Sequence, residues 1–563
     1  MMKRMIFCIA VTLSLIISAA AHAEENPQFQ ETVTSLGSVP KEYQIIPDSV
    51  KYSTNFRQIS YVALKGKTHN VIRLNDRTSP DYYAVRPGFP RFSATNRHAY
   101  IAYKSKNSKA SVVVDWEPDP ILGNADNFIF SFDGERYAYR VATEEKQCVV
   151  IDGKPNKWYT GIPLNDEDNI LFSHDSKHLA YVAYKDEACK VVVDGEEEKH
   201  RFEMIEGLKF SPDSKSLAYK GRVEKQGMTE KWCVVRNGKR HQPYSRIFSL
   251  IFSPNSQHLA YIAIKDQQMV MVLNGQEQEP HDQYGLPTFA PNSKKLAFSF
   301  REDKNFHVVV NSDKGPAFER IYKFFFSLDS SRFAYIAGKK DTWQCTVDGK
   351  VGPVYEIVDS FKFSLDSNRY AYAAVPEKGK AKIVVDGKPH ESHLSVGEPY
   401  FSPNSKHTVY RARREKDKKW VTILNGEKKG DYYPAIGKYF FPKDSNHIAY
   451  NALISLSKSI MIVDGKKQCA DHSFNIMDDP YFSPDSKNLA YIAGHGQKGE
   501  FFLVVNGHVL PTKYGGFFKD TPIIFDDEKH FHVIGMREPG PEFLLIEVEI
   551  PEKMKLETEL SDW

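Results

Sequence analysis

Along most of the chain, short apolar runs alternate with two kinds of polar turn, and the order of runs and turns repeats. The clearest copy is Phe482 to Tyr491, FSPDSKNLAY, with further clear copies starting at Phe130, Phe172, Phe210, Phe252, Phe289, Phe326, Phe363, Phe401 and Phe441. Weaker copies start at Tyr52, Phe92 and Phe525, which gives thirteen starts spaced 37 to 43 residues apart. A period of that size, containing strand and turn signals and no helical periodicity, predicts propeller blades.

The unit from Phe172 to Lys209 shows the logic. Phe172 ends a first strand, and the following turn carries Asp175, which bonds its own backbone across the turn as Asp and Asn do. Every clear copy has Asp or Asn there. The next run, Leu179 to Tyr184, is apolar at successive positions, so both faces of that second strand are expected to be covered, as they are when sheets are stacked on either side. The small residue before the Tyr, Ala180 here and Ala218, Ala260 or Ala490 elsewhere, lets adjacent sheets approach closely. A β-branched third strand then reaches Asp194-Gly195, a pair that suits the type I′ turn because both central residues need positive φ. A less regular fourth strand leads into the next Phe, so about forty residues make one four-stranded blade.

Propellers typically have 4 to 8 blades, so thirteen are expected to divide into two. The expected fold class is therefore all-β, a tandem of β-propellers with six plus seven blades in either order. The domains follow as a leader over 1–23, an N-terminal segment over 24–51, a first propeller over 52–288 and a second over 289–563, the join lying within 285–325. Glu42 to Ile46 parallels Tyr355 to Val358 and reads as a fourth strand with no blade ahead of it. It is expected to complete a later blade and close a ring, while residues 24–39 read as loosely held.

Composition narrows location more than chemistry. Lys3 and Arg4, the apolar stretch Met5 to Ala20 and the Ala21-His22-Ala23 site form an export leader, so the mature protein is expected in the periplasm or secreted. No later stretch is long and apolar enough for a membrane helix. With 75 Lys plus Arg against 72 Asp plus Glu, no global basic field points to nucleic acid. Five Cys remain after the leader, and four of them, Cys148, Cys189, Cys233 and Cys345, fall in the same strand of four different repeats. Sheets stacked about 10 Å apart hold such residues beyond disulfide reach, so buried thiols are expected.

These repeats resemble the TolB-like propeller repeat of exported bacterial proteins, a relative of WD repeats, over residues 52–535. FSPDS-x-x-LAY stands where that family has an SPDG-type turn before an apolar strand. Ser replaces the family's Gly everywhere except Gly134, and the α/β domain that precedes the propeller in TolB has no room here. The resemblance implies a propeller fold; family members bind proteins, carry peptidase domains or have no assigned role.

Motifs for catalysis are few. G-x-S-x-G, H-E-x-x-H and a P-loop are all absent from the sequence. Asn311 to Gly315 has a calcium-like spacing without the later bidentate Glu. His178, His258, His407 and His447 recur at one repeat position that other blades fill with Arg, Lys, Ser or Asn, which reads as a solvated rim. His530 and His532 alternate on one strand, with no third ligand for zinc. No catalytic residue, metal or cofactor is assigned.

The short first-to-second and third-to-fourth turns project from one side of the ring, and the variable connections share the other. Binding residues usually ride on variable loops held by a rigid frame. The longest are Lys220 to Lys231 and Arg411 to Lys419. The candidate binding residues are therefore Arg222, Lys225, Arg411, Arg413 and Arg414, with Trp158 and Tyr159 as aromatic contacts. The expected function is a non-enzymatic scaffold that binds a protein or cell-envelope partner through these loops. The alternative is a hydrolase or lyase acting on glycan or peptide in a central channel.

Overall fold

The computed structural model describes residues 29–563 except 67–68, 164–169, 227–228, 377–379, 456–457, 470–474, 477, 496–498, 519–520, 555 and 557–563. The expected leader lies outside the described residues. Among the described residues there are thirteen antiparallel sheets; twelve have their strands in sequential order, some with a first strand split into two pieces, and the last takes Gln30–Ser38 as its outer strand. They are numbered here as blades 1 to 13, from Tyr43–Ile45 in blade 1 to Glu542–Glu549 in blade 13.

The second strand of each blade is covered on both sides. Ala99, Ala180, Ala218, Ala260, Ala334 and Ala490 are 0% exposed, and the tyrosines that follow them are buried as well. Apolar clusters bridge one blade to the next around the whole ring. Blades 6 and 7 share Ile262, Met271, Tyr284 and Phe298; blades 7 and 8 share Ala297, Val308 and Tyr335. Blades 13 and 1 share Leu36, Tyr61, Ile534 and Phe543, with the Tyr61 and Phe543 rings 5.1 Å apart.

This pattern overturns the tandem arrangement. All thirteen blades form one ring round one axis, and the stretch 285–325, where a join between two rings is expected, contains ordinary seams. Two rings would need two closures, whereas the last blade packs on the first. Closure also differs from expectation. Tyr43–Ile45 pairs with Ile59–Lys65 and so forms the first strand of blade 1 itself. The strand that completes blade 13 is Gln30–Ser38, antiparallel to Glu542–Glu549, from the stretch read as loosely held. Its Gly37, at φ +113°, lets the backbone pass blade 1, where a Cβ would sit 2.9 Å from Asn75 O. Beside it Arg57 of blade 1 pairs with Glu547 at 2.6 Å and Asp526 at 3.1 Å. Buried His532 points Nδ1 at Asp526 and Nε2 at the Asn55 carbonyl, both at 2.8 Å.

A second device ties blade to blade. In the first-to-second turn, the Ser that replaces glycine lies in the left-handed region, for example Ser214 at φ 65° and Ser256 at φ 66°. That conformation costs an L-residue about 1–2 kcal/mol. Its hydroxyl, however, accepts the turn N–H of the preceding blade: Asp175 N to Ser214, Asp213 N to Ser256 and Asn255 N to Ser293 are each 2.9 Å. The same bond recurs without a break from Asp133 to Ser176 in blades 3 and 4 through to Asp444 and Ser486 in blades 11 and 12. Glycine would relieve the backbone and lose the bond. At Gly134 the exchange fails because a Cβ would lie 2.7 Å from Thr95 N.

Two outcomes follow for stability. Ser256→Ala keeps the strained backbone and removes the hydroxyl, a loss of about 1 kcal/mol, so it lowers the thermal midpoint more than Ser256→Gly. Removing residues 24–38 opens the ring and lowers the midpoint by at least about 5 °C, measured by differential scanning fluorimetry against the protein that retains them.

Candidate functional site

The two faces of the ring are built differently. The short-turn face consists of near-identical turns bonded to one another. The other face carries connections that differ in length and charge from blade to blade. In blade 5 the connection expected to be a loop is largely strand, since Leu217–Gln226 pairs with Thr229–Arg236 in a projecting hairpin. In blade 10, residues 414–419 link Thr408–Arg413 to Trp420–Leu424.

The candidate residues fall in three places and do not converge. Arg222 is held between Glu203 at 3.2 Å and Glu230 at 3.1 Å, with its guanidinium 5.8 Å from the Trp232 ring centre. Lys225 lies on the blade 5 hairpin, its side chain outside the described residues. Tyr159 is 3% exposed and bridges Gln147, the first residue of the third strand of blade 3; Tyr82, Tyr244 and Tyr355 occupy the same position in other blades. Its neighbour Trp158 is 40% exposed.

Blade 10 gathers the rest. Arg411 donates to the carbonyls of Ile436 and Gly437 on the first strand of blade 11, so it clamps a seam. Arg140 makes the same kind of link from blade 3 to Ile162 O at 3.0 Å, paired with Asp126 at 2.6 Å. Arg413 donates to Lys418 O at 2.7 Å, and both Arg411 and Arg413 lie over Trp420, at 5.4 and 5.8 Å. Arg414 chelates Asp417 and stacks on Tyr432 at 3.6 Å, with Lys428 4.6 Å from the same ring. These contacts fix the base of the loop, which the Arg414 N to Lys419 O bond closes, and leave the side chains of Lys416 and Lys419 exposed.

The recurring His position turns out to pair with the Asp/Asn-Gly turn. His178 Nδ1 is 2.7 Å from Asp194, and His447 Nδ1 is 2.8 Å from Asp464. His447 is 6% exposed, so the solvated-rim expectation does not hold for that blade. Among the described residues no three His, Cys, Asp or Glu side chains group in a way that would hold a metal ion. Asn311 belongs to a third-to-fourth strand turn, and its carboxamide oxygen accepts Leu296 N at 3.1 Å. The five described Cys are free thiols, and burial pushes Cys148 and Cys233 up to about 11, which leaves them unreactive at neutral pH.

Two open crevices lie between neighbouring blades. One, of about 280 Å³ between blades 9 and 10, includes Asp359, Ser360 and Glu398. The Glu398 carboxyl is held below its usual range, first by Lys362 at 2.8 Å, so it is an anion with no proton to donate near neutral pH. The other, of about 430 Å³ across blades 5 to 7, includes Lys209, Lys220 and Leu286. Lys220 pairs with Glu206 at 3.1 Å. Among the described residues no hydrogen bond joins a hydroxyl of either crevice to a carboxylate or imidazole that could act as its base. Sequence reasoning missed the pairs of Lys362 with Glu398 and of Lys220 with Glu206; the one trace of the second was a charged residue directly after the second-strand Tyr, as at Arg140 and Lys220.

No protein-family model and no curated protein matches the sequence. Among solved structures, a eukaryotic initiation factor is 14% identical, with 60% of this chain and 95% of that chain covered at a TM-score of 0.29. TolB from Acinetobacter baumannii is 14% identical over 48% of this chain and 80% of that one, at 0.20. The propeller domain of the Trilobed protease from Pyrococcus furiosus is 16% identical over 47% and 96%, at 0.21. Scores this low carry no argument about function, and the propeller fold rests on the chain's own sheets. Among the described residues no helix is long and apolar enough to cross a membrane.

The turn carboxylates make acid sensitivity testable. Asp133, Asp175 and Asp213 are held below the usual range, first by the Ser131, Ser173 and Ser211 hydroxyls, and Asp366 is lowered to about 2, first by Ser364. A depressed carboxyl contributes stability above its unfolded value of about 3.9 that is lost as pH falls toward its folded value. The melting midpoint should stay level from about pH 7 to 5 and drop below about 4. Asp366→Asn, the residue already present at Asn255 and Asn404, should make that drop shallower.

Proposed function

We propose that this protein is an exported, non-enzymatic propeller scaffold that holds a protein or cell-envelope component on its variable-loop face. One observation carries the reading: the short turns are bonded into a rigid rim, while the opposite connections differ in every blade, which is how a fixed frame presents variable binding segments. The blade 5 hairpin and the blade 10 loop are the largest of those segments. Export rests on the leader-like residues 1–23, and the charge of the blade 10 tip favours a partner with an acidic surface.

The test uses the mature chain immobilised in envelope extract, compared with the Lys416→Glu/Lys419→Glu variant. These side chains are exposed and leave the seam contacts intact, so the variant should fold normally. The proposal expects a saturable envelope component retained by the mature chain and reduced at least about ten-fold in the variant. Equal retention by both, or none by either, contradicts it.

A further inference from the structure

The most exposed large apolar side chains of the short-turn face stand at one repeat position, the residue between the first Ser and the Asp or Asn of the first-to-second turn. That position is the second residue of a tight turn, where Pro is favoured because its fixed φ suits the bend. Pro212, Pro254, Pro291 and Pro403 meet that expectation. Phe132, Leu328 and Leu365 do not: they bring no turn chemistry, and they are 60%, 65% and 58% exposed. From blade 3 to blade 10 the series runs Phe, His, Pro, Pro, Pro, Leu, Leu, Pro, with no acidic residue in it.

These tips share one level. Each turn is hydrogen-bonded directly to the next through the left-handed Ser, with Asn292 N to Ser330 at 2.9 Å, Asp329 N to Ser367 at 3.2 Å and Asp366 N to Ser405 at 3.0 Å. The result is a continuous rim with apolar side chains on its outer surface. Cations flank it. Lys177, Lys215, Lys294 and Lys406 follow the left-handed Ser in their blades, all exposed. Farther from the axis, exposed Lys154, Lys239, Lys350, Lys388 and Lys466 follow the Gly of the third-to-fourth turn. At these same positions blades 3, 4 and 10 carry the exposed carboxylates Glu135, Glu196 and Glu427, the last two paired with Lys157 and Lys429 at 3.4 Å, while the turn carboxylate Asp366 accepts from Ser364 Oγ and Asn368 N.

Apolar tips level with one another and bordered by lysines match a lipid bilayer with anionic headgroups. The side chains enter the acyl boundary while the ammonium groups meet phosphates. A protein partner would need complementary hollows at each tip, and a second copy of the ring would set lysine against lysine. We propose that the short-turn face rests on an anionic phospholipid surface, with the variable-loop face turned away from it. This is a different face and a different partner from the scaffold reading above, so each stands or falls alone.

The test is co-sedimentation of the mature chain with vesicles of phosphatidylglycerol and phosphatidylethanolamine, and with vesicles of phosphatidylcholine alone. The expected result is sedimentation with the first only, weakened by added salt. Leu328→Ser/Leu365→Ser should reduce the bound fraction about five-fold or more, with an unchanged melt because both side chains are solvent-exposed. Lys416→Glu/Lys419→Glu, on the other face, should bind vesicles as the unmodified chain does. Failure to bind anionic vesicles, equal binding by the Leu variant, or binding that does not depend on headgroup charge overturns the proposal. So does a concentration-dependent dimer that the Leu variant abolishes, since the face would then take a second copy.

Discussion

Everything in this molecule depends on sheets pressed flat against their neighbours through their second strands. Ala180, Ala218 and Ala260 are fully buried because the next blade's side chains lie directly over them, and Tyr181, Tyr219 and Tyr261 fill the space beside them. Such a contact is the same on both sides of a blade, so it stacks blades without limit. What stops the stack is closure. Here closure comes from Gln30–Ser38 completing the last sheet and from Arg57, Asp526, Glu547 and His532 crossing to the first.

The turn serines show how a repeat is tuned beyond its consensus. Left-handed backbone would ordinarily select glycine. Serine is used instead in most blades because its hydroxyl finds a backbone N–H on the neighbouring blade, and the gain of that bond offsets the strain to within about 1 kcal/mol. One residue thus sets the local turn and joins adjacent sheets. The price of this rigidity is that the face it builds has little scope for variation, which leaves sequence diversity to the opposite connections and to the single tip position.

Much of the fold was legible in the chain, for physical reasons particular to each feature. Continuous apolar strands and Asp-Gly or Asn-Gly pairs declare four-stranded blades because each is a local requirement. The number of blades per ring was not legible, because it follows from a small rotation accumulated at every seam and no one residue encodes it. The closing strand was missed because Gln30–Ser38 is an outer strand with one wet side, and its polar residues resemble a loose terminus. At the candidate site, charge was visible and pairing was not: Arg411 and Arg414 read alike in sequence, yet one holds a seam and the other chelates Asp417.

The most direct check of this account is a set of cryo-electron microscopy class averages of the protein viewed down the axis. A single ring of thirteen radial lobes around one wide opening is the expected image. Two smaller rings side by side, each with its own opening, would contradict it.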